Sequence, residues 1–110
     1  MVTQASHNEL VSEFLREAND DFVGLWEIVH VLERQIGDAR ALRDQTLDVA
    51  RELLARGLLA GGLSSSDDDF HPWPDQRPDA VIARIRSEWI ALGRTPNIGD
   101  IVWFSRPDQA

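Results

Sequence analysis

Apolar positions along this chain fall into four helical stripes and two short apolar runs. Leu10, Val11, Phe14, Leu15 and Ala18 recur at helical spacing behind Ser6-His7-Asn8-Glu9, whose Ser-x-x-Glu order is a capping-box pattern. This predicts a first helix over 7–18, closed by Asn19-Asp20-Asp21. A second helix is predicted over 22–35. There Phe22, Leu25, Trp26, Ile28, Val29, Leu32 and Ile36 form a wide stripe, with Val23 and Val31 at its edges and Glu27, His30 and Arg34 opposite. A stripe this broad marks the most buried helix of the domain. Gly37 stops it, and Asp38 can cap the next helix.

Leu42, Thr46, Leu47, Val49, Ala50, Leu53 and Leu54 align on one side of a third segment over 38–56. Asp44, Gln45, Asp48, Arg51, Glu52 and Arg56 lie on the other. The pattern fits one helix, or a short and a longer helix separated by a turn at 43–45. Gly57 ends it, and the apolar, glycine-containing run 58–63 reads as a strand leaving a helix. Residues 64–75 combine serines and aspartates with Phe70-His71-Pro72-Trp73-Pro74 and read as a loop. Pro78 suits the first turn of a fourth helix, with Asp79 complementing its positive end. Val81, Ile82, Ile85, Trp89 and Leu92 make its stripe, and Gly93 and Pro96 end it. The β-branched and aromatic residues of 98–104 read as a closing strand, antiparallel to 58–63. The predicted fold class is α+β: four helices and a small antiparallel β-hairpin, with a helical insertion between the hairpin strands. One domain spans 1–110, with 1–6 and 106–110 frayed.

Composition adds limits. A chain of 110 residues with 43% hydrophobic content can bury one core without staples. The absence of cysteine excludes disulfides, thiolate catalysis and thiolate metal sites. No apolar run approaches the ~20 residues of a bilayer span, and the first nine residues lack the basic start and apolar stretch of a signal peptide. The cytoplasm is the expected compartment. The formal charge is −8, and every cation is an arginine. Such a charge repels phosphate backbones and anionic lipid, and attracts basic partners.

Two segments resemble known proteins. Residues 51–62, Arg-Glu-Leu-Leu-Ala-Arg-Gly-Leu-Leu-Ala-Gly-Gly, resemble the third helix and first wing strand of winged-helix domains. Residues 88–104, Glu-Trp-Ile-Ala-Leu-Gly-Arg-Thr-Pro-Asn-Ile-Gly-Asp-Ile-Val-Trp-Phe, are similar to the ending of a group of small uncharacterised bacterial proteins. The first resemblance implies a winged-helix-like fold. In that fold the third helix enters the major groove of DNA and the wing touches phosphates. Here the corresponding helix face carries Asp44, Asp48 and Glu52 against Arg51 and Arg56, and the loop carries Asp67, Asp68 and Asp69. Affinity for nucleic acid depends on cations that release counterions from phosphate, so this face argues against it. Pairing of Asp44 or Asp48 with Arg51, or of Glu52 with Arg56, accounts for the charges as a solvated helix face.

Candidate chemistry is sparse. Asp67, Asp68, Asp69 and His71 lack the alternation of a calcium loop, and His7, His30 and His71 are scattered, against a zinc site. No tyrosine, cysteine or lysine offers a nucleophile or tuned base, and the three consecutive serines do not form a nucleophile elbow. His30 can pair with Glu27 or Glu33. No enzyme activity, metal or cofactor is expected. Trp26, Trp89 and Trp103 fall in apolar stripes and are expected in the core. Trp73 differs: it stands between Pro72 and Pro74, beside Phe70 and His71. The prolines lower the entropy cost of presenting an aromatic anchor. Alternatively, Phe70 and Trp73 fold back on the sheet or the fourth helix.

The leading functional expectation is a protein-interaction module that uses Asp67, Asp68, Asp69, Phe70, His71 and Trp73 to bind a basic protein partner. An immunity- or antitoxin-like protein would be one instance. A transcription-related winged-helix protein that binds DNA is the alternative, and a small-ligand binder or enzyme a third. Monomer and homodimer both remain open.

Overall fold

The computed structural model describes residues 4–63 and 69–109. The elements run α1 (Gln4–Glu17), β1 (Val23–Gly24), α2 (Leu25–Leu32), α3 (Ala39–Ala55), β2 (Leu59–Leu63), β3 (Phe70–Pro72), α4 (Pro78–Leu92) and β4 (Trp103–Ser105), with a 3-10 turn over Pro107–Gln109. The fold is α+β, with four helices and one four-stranded antiparallel sheet in the order β1-β4-β2-β3.

The hairpin expected between 58–63 and the closing strand forms, with Leu59 opposite Ser105 and Ala60 opposite Phe104. Two further strands flank it. Val23–Gly24 pairs with the free edge of β4, so the second helix starts at Leu25 instead of 22. Gly24 is extended (φ −86°, ψ 147°), and its N–H donates to the Glu27 carboxylate at 2.7 Å, half of a capping box. On the other side, Phe70–Pro72 pairs with β2 within the segment read as a loop. A proline is tolerated there because β3 is the sheet's edge. β4 is shorter than the predicted strand because Gly99 and Ile101 both take positive φ (82° and 69°) and turn the chain just before it.

α3 is one continuous helix, packed against α1, α2 and α4. The Asp38 carboxylate accepts the Ala41 N–H at 2.8 Å, the predicted N-cap. Thr46 is fully buried, and its hydroxyl donates to the Leu42 carbonyl at 2.8 Å, so this hydroxyl is not stranded in the core. α3 and α4 end where Gly57 and Gly93 adopt the left-handed backbone (φ 101° and 73°) that side chains with a Cβ resist.

Leu25, Ile28, Leu32, Val49, Leu53, Val81 and Ile85 are fully buried between the helices. Val23, Phe104 and Ala60 close the core from the sheet. By the alternation of a pleated strand, Gly24, Trp103 and Gly61 lie on the opposite face. Trp89 is buried as expected, whereas Trp26 and Trp103 are half-buried. Arg106 hydrogen-bonds Asn19 and Asp108, tying the 3-10 turn to the end of α1.

Candidate functional site

The structure places the expected binding residues in two groups. Asp69 and His71 are exposed, while Asp67 and Asp68 lie outside the described residues. Phe70 and Trp73 are 6% and 8% exposed and face the fold. Phe70 stacks on Phe22 with ring centroids 5.6 Å apart. Trp73 lies under the Arg84 guanidinium, 3.7 Å from its ring centroid, and Glu88 holds that arginine at 2.6 Å. The Pro72–Pro74 bracket therefore fixes an aromatic against the core, and its ring is not at the surface for a partner.

On the α3–α4 side, carboxylates and arginines neutralise one another. Arg51 pairs with Asp79 (2.5 Å) and Arg86 with Asp44 (3.8 Å), linking the two helices. Arg51 thus reaches across to α4 instead of pairing with Asp44 or Asp48. The expected Glu52–Arg56 pair forms at 3.1 Å. Arg77 grips Asp75 and holds its carboxyl down at about 2. All these pairs are exposed, and each contributes little to stability.

Among the described residues, the largest group of neighbouring carboxylates without an arginine partner sits on α1 and the turn that follows it. Residues 1–33 hold seven of the nineteen acids and one of the eleven arginines, hence six of the eight net negative charges. Glu9, Glu13 and Glu17 follow one another at four-residue spacing along exposed α1, and Asp20 and Asp21 continue past its C-terminus. No ion pair joins any of these five to a described arginine. Carboxylates at a helix C-terminus meet the negative end of its dipole, so this arrangement is unfavourable for the isolated fold.

Glu17 registers the cost. Partial desolvation, a hydrogen bond with Glu27 and the negative charges of Glu27 and Asp21 push its carboxyl up from 4.5 to about 7. Between those two values the folded chain retains a proton on Glu17 that the unfolded chain has released. Stability from this group is therefore full below about pH 4.5 and falls as pH rises through about 7. The side chain is largely exposed, so water screens much of the effect, and about 1 kcal/mol is expected at pH 8. Denaturant unfolding should show Glu17→Gln more stable than the parent by that amount at pH 8 and equal to it at pH 5. A constant difference at both pH values would contradict the assignment.

A second set of unusual features lies beside this corner, where α2 meets the segment 94–102. A groove of about 460 Å³ opens between them, lined by Trp26, Val29, His30, Glu33, Thr95, Pro96, Asn97 and Ile98. Ile98 stands at its lip, 71% exposed, which is unusual for so large an apolar side chain in this fold. Asp100 holds the lip in shape. Its carboxylate accepts from the Asn97 N–H and from Arg94, both at 2.8 Å, and these keep it below the usual carboxylate range. Ile101 has φ 69° inside a three-residue turn closed by Val102 N–H to the Asp100 carbonyl at 2.9 Å. Positive φ at a β-branched residue is strained.

Behind the groove, the Trp26 indole lies on Gly24, where an added Cβ would be 2.6 Å from Cδ1 and 2.7 Å from Nε1. Trp103 covers the same glycine, and the buried Trp26 Nε1 has no partner among the described residues. His30 Nδ1 approaches Glu33 at 3.4 Å, and the His30 and Trp26 ring centroids lie 6.4 Å apart. Local irregularities of this kind concentrate at functional surfaces more than in scaffolds. Composition carried a signal for this corner in the charge imbalance of the first 33 residues. The groove itself had none, because its two walls are some sixty residues apart.

Among the described residues, no group of three acidic or histidine side chains could hold a metal ion, and no helix is long and apolar enough to cross a membrane. Compared with protein-family models, curated proteins and solved structures, the chain matches none.

Proposed function

We propose that this protein is a non-enzymatic interaction module that binds a basic protein partner at the acidic corner formed by α1 and the start of α2. The observation that carries the reading is the segregation of charge: most of the net negative charge lies in residues 1–33, without arginine partners among the described residues, while Asp44 and Asp79 on the α3–α4 side are paired with arginines. Acids kept close together at a cost to the fold favour a ligand that supplies the missing cations. The paired arginines of α3 and α4 leave little positive potential for a phosphate backbone, so a basic protein fits better than nucleic acid. Neutralisation of a basic toxin is one role such a surface would suit.

A twelve-residue peptide alternating arginine and serine is a suitable probe, titrated by fluorescence anisotropy. At pH 8, where Glu17 is ionised, the triple variant Glu13→Gln, Glu17→Gln, Asp20→Asn should bind it about tenfold more weakly than the parent, a loss of about 1.4 kcal/mol. The control triple Asp44→Asn, Asp79→Asn, Asp108→Asn removes the same charge from exposed pairs and should stay within about twofold. Equal losses in both triples would mean that net charge alone attracts the peptide, and the reading would fall.

A further inference from the structure

We infer that the groove between α2 and the 95–98 segment receives an apolar side chain of that basic partner, so that the recognised element is a segment in which apolar and basic residues alternate. The inference rests on the proposed function and adds the apolar half of the contact.

Its walls set the chemistry. Trp26 and Val29 form an apolar side, and Pro96 and Ile98 face them. The groove lies open to solvent, which suits a side chain projecting from a partner surface more than an enclosed small molecule. Ile98 at 71% exposure keeps apolar surface in water that a partner residue would cover. The cost of holding it there is visible in the strained Ile101 turn and in the Asp100 clamp that shapes the lip. Because the lip is already ordered by these contacts, little further ordering is required when a partner docks.

Charge decides the occupant. Glu33 stands on the rim, and Glu27 lies one residue beyond Trp26 toward the acidic corner. No arginine lines this groove, whereas three other concavities of the described surface each contain at least one. A second copy of this chain would bring its own acidic corner against Glu33 and Glu27 and be repelled. A segment that inserts a leucine-sized side chain between Trp26 and Ile98, with an arginine beside it near Glu33, meets both requirements.

The test compares two twelve-residue peptides of equal charge, one alternating arginine with leucine and one alternating arginine with serine. Each is titrated against the parent chain and against Ile98→Asp and Glu33→Gln, both at exposed positions that spare the core. The parent should prefer the leucine peptide by about tenfold. Ile98→Asp should abolish that preference while leaving affinity for the serine peptide within about twofold, and Glu33→Gln should weaken the leucine peptide. If the two peptides bind the parent equally and Ile98→Asp changes neither, the groove inference fails while the acidic-corner reading stands. If neither peptide binds at low salt, both fail. If light scattering shows a dimer of the parent that Ile98→Asp converts to monomer, the occupant is a second copy and the inference is overturned.

Discussion

Gly61→Ala should destabilise the protein by about 3 kcal/mol, the upper part of the usual range for overpacking. A Cβ at this position would sit 2.4 Å from the His71 carbonyl oxygen and 2.8 Å from Cζ of Phe70. The first neighbour is backbone of the paired strand, so the clash cannot be relieved by turning a side chain. β2 and β3 must move apart, and Phe70, held between Gly61 and Phe22, must move with them. For a chain of this size that energy corresponds to a fall in melting temperature on the order of 15 °C. The next residue supplies the control. Gly62 lies in the same strand, has nothing within 4 Å of an added Cβ, and Gly62→Ala should change stability by about 0.5 kcal/mol or less. Thermal unfolding of the two alanine variants side by side tests the assignment. Equal melting temperatures would mean that β3 does not pack on Gly61 as described.

Gln76→Ala should cost about 2 kcal/mol, through a role that no nearby motif announces. Ala60 turns its N–H and carbonyl away from β4, toward a place where β3 has already ended at Pro72. Gln76 completes the ladder there with its side chain. Its Oε1 accepts the Ala60 N–H at 2.8 Å, and its Nε2 donates to the Ala60 carbonyl at 2.7 Å and to the Trp73 carbonyl at 2.8 Å. Removing the amide leaves the Ala60 N–H and the Trp73 carbonyl to whatever water can enter, at about 1–3 kcal/mol for each group left unmade, while the Ala60 carbonyl keeps the Trp73 N–H at 2.9 Å. Gln76→Glu should be worse than Ala at neutral pH. A carboxylate can still accept from Ala60 N–H, but it turns a negative oxygen toward two carbonyl oxygens. The expected order of stability in urea is Gln, then Ala, then Glu, with Glu recovering on acidification as its carboxyl gains a proton to donate. If Glu matched Gln at pH 7, the bridging role would be excluded.

These two residues illustrate why part of the fold was legible in the chain and part was not. Periodicity found all four helices, because an amphipathic stripe is written within a few turns of one segment. Local chemistry found the Asp38 cap, the Pro78 start and the glycine ends at 57 and 93. The β2–β4 pairing was also within reach, since both segments are apolar and bounded by turns. β1 was absorbed into the second helix because Phe22 and Val23 happen to fall in register with the stripe of α2. Only pairing with the free edge of β4 makes Val23 and Gly24 a strand. β3 was hidden for a related reason: a Phe-His-Pro run has no strand periodicity, and its pairing comes from β2.

The candidate surface divides the same way. Segregation of acids into the first third of the chain is countable, but the charge pattern on α3 pointed elsewhere. Which of the charges on α3 are neutralised depends on partners that α4 brings from about thirty to forty residues away, Arg86 onto Asp44 and Asp79 onto Arg51. Trp73 shows the limit most directly. Two prolines at its sides state that the ring is held stiffly; they do not state toward which side. Its burial under Arg84 is a tertiary outcome, set by where α4 places that arginine.

What the sequence determined by itself is local and additive: helix content, caps and stops, one apolar core, net acidity and a chain without thiols. What the tertiary structure alone decided is everything that joins distant segments: the two outer strands, the Gln76 bridge, the identity of the unneutralised carboxylates and the groove beneath Ile98. The physical reason is that a stripe or cap is a property of neighbours a few residues apart, whereas pairing, burial and charge compensation depend on which surfaces the packed helices bring within a few ångströms of one another.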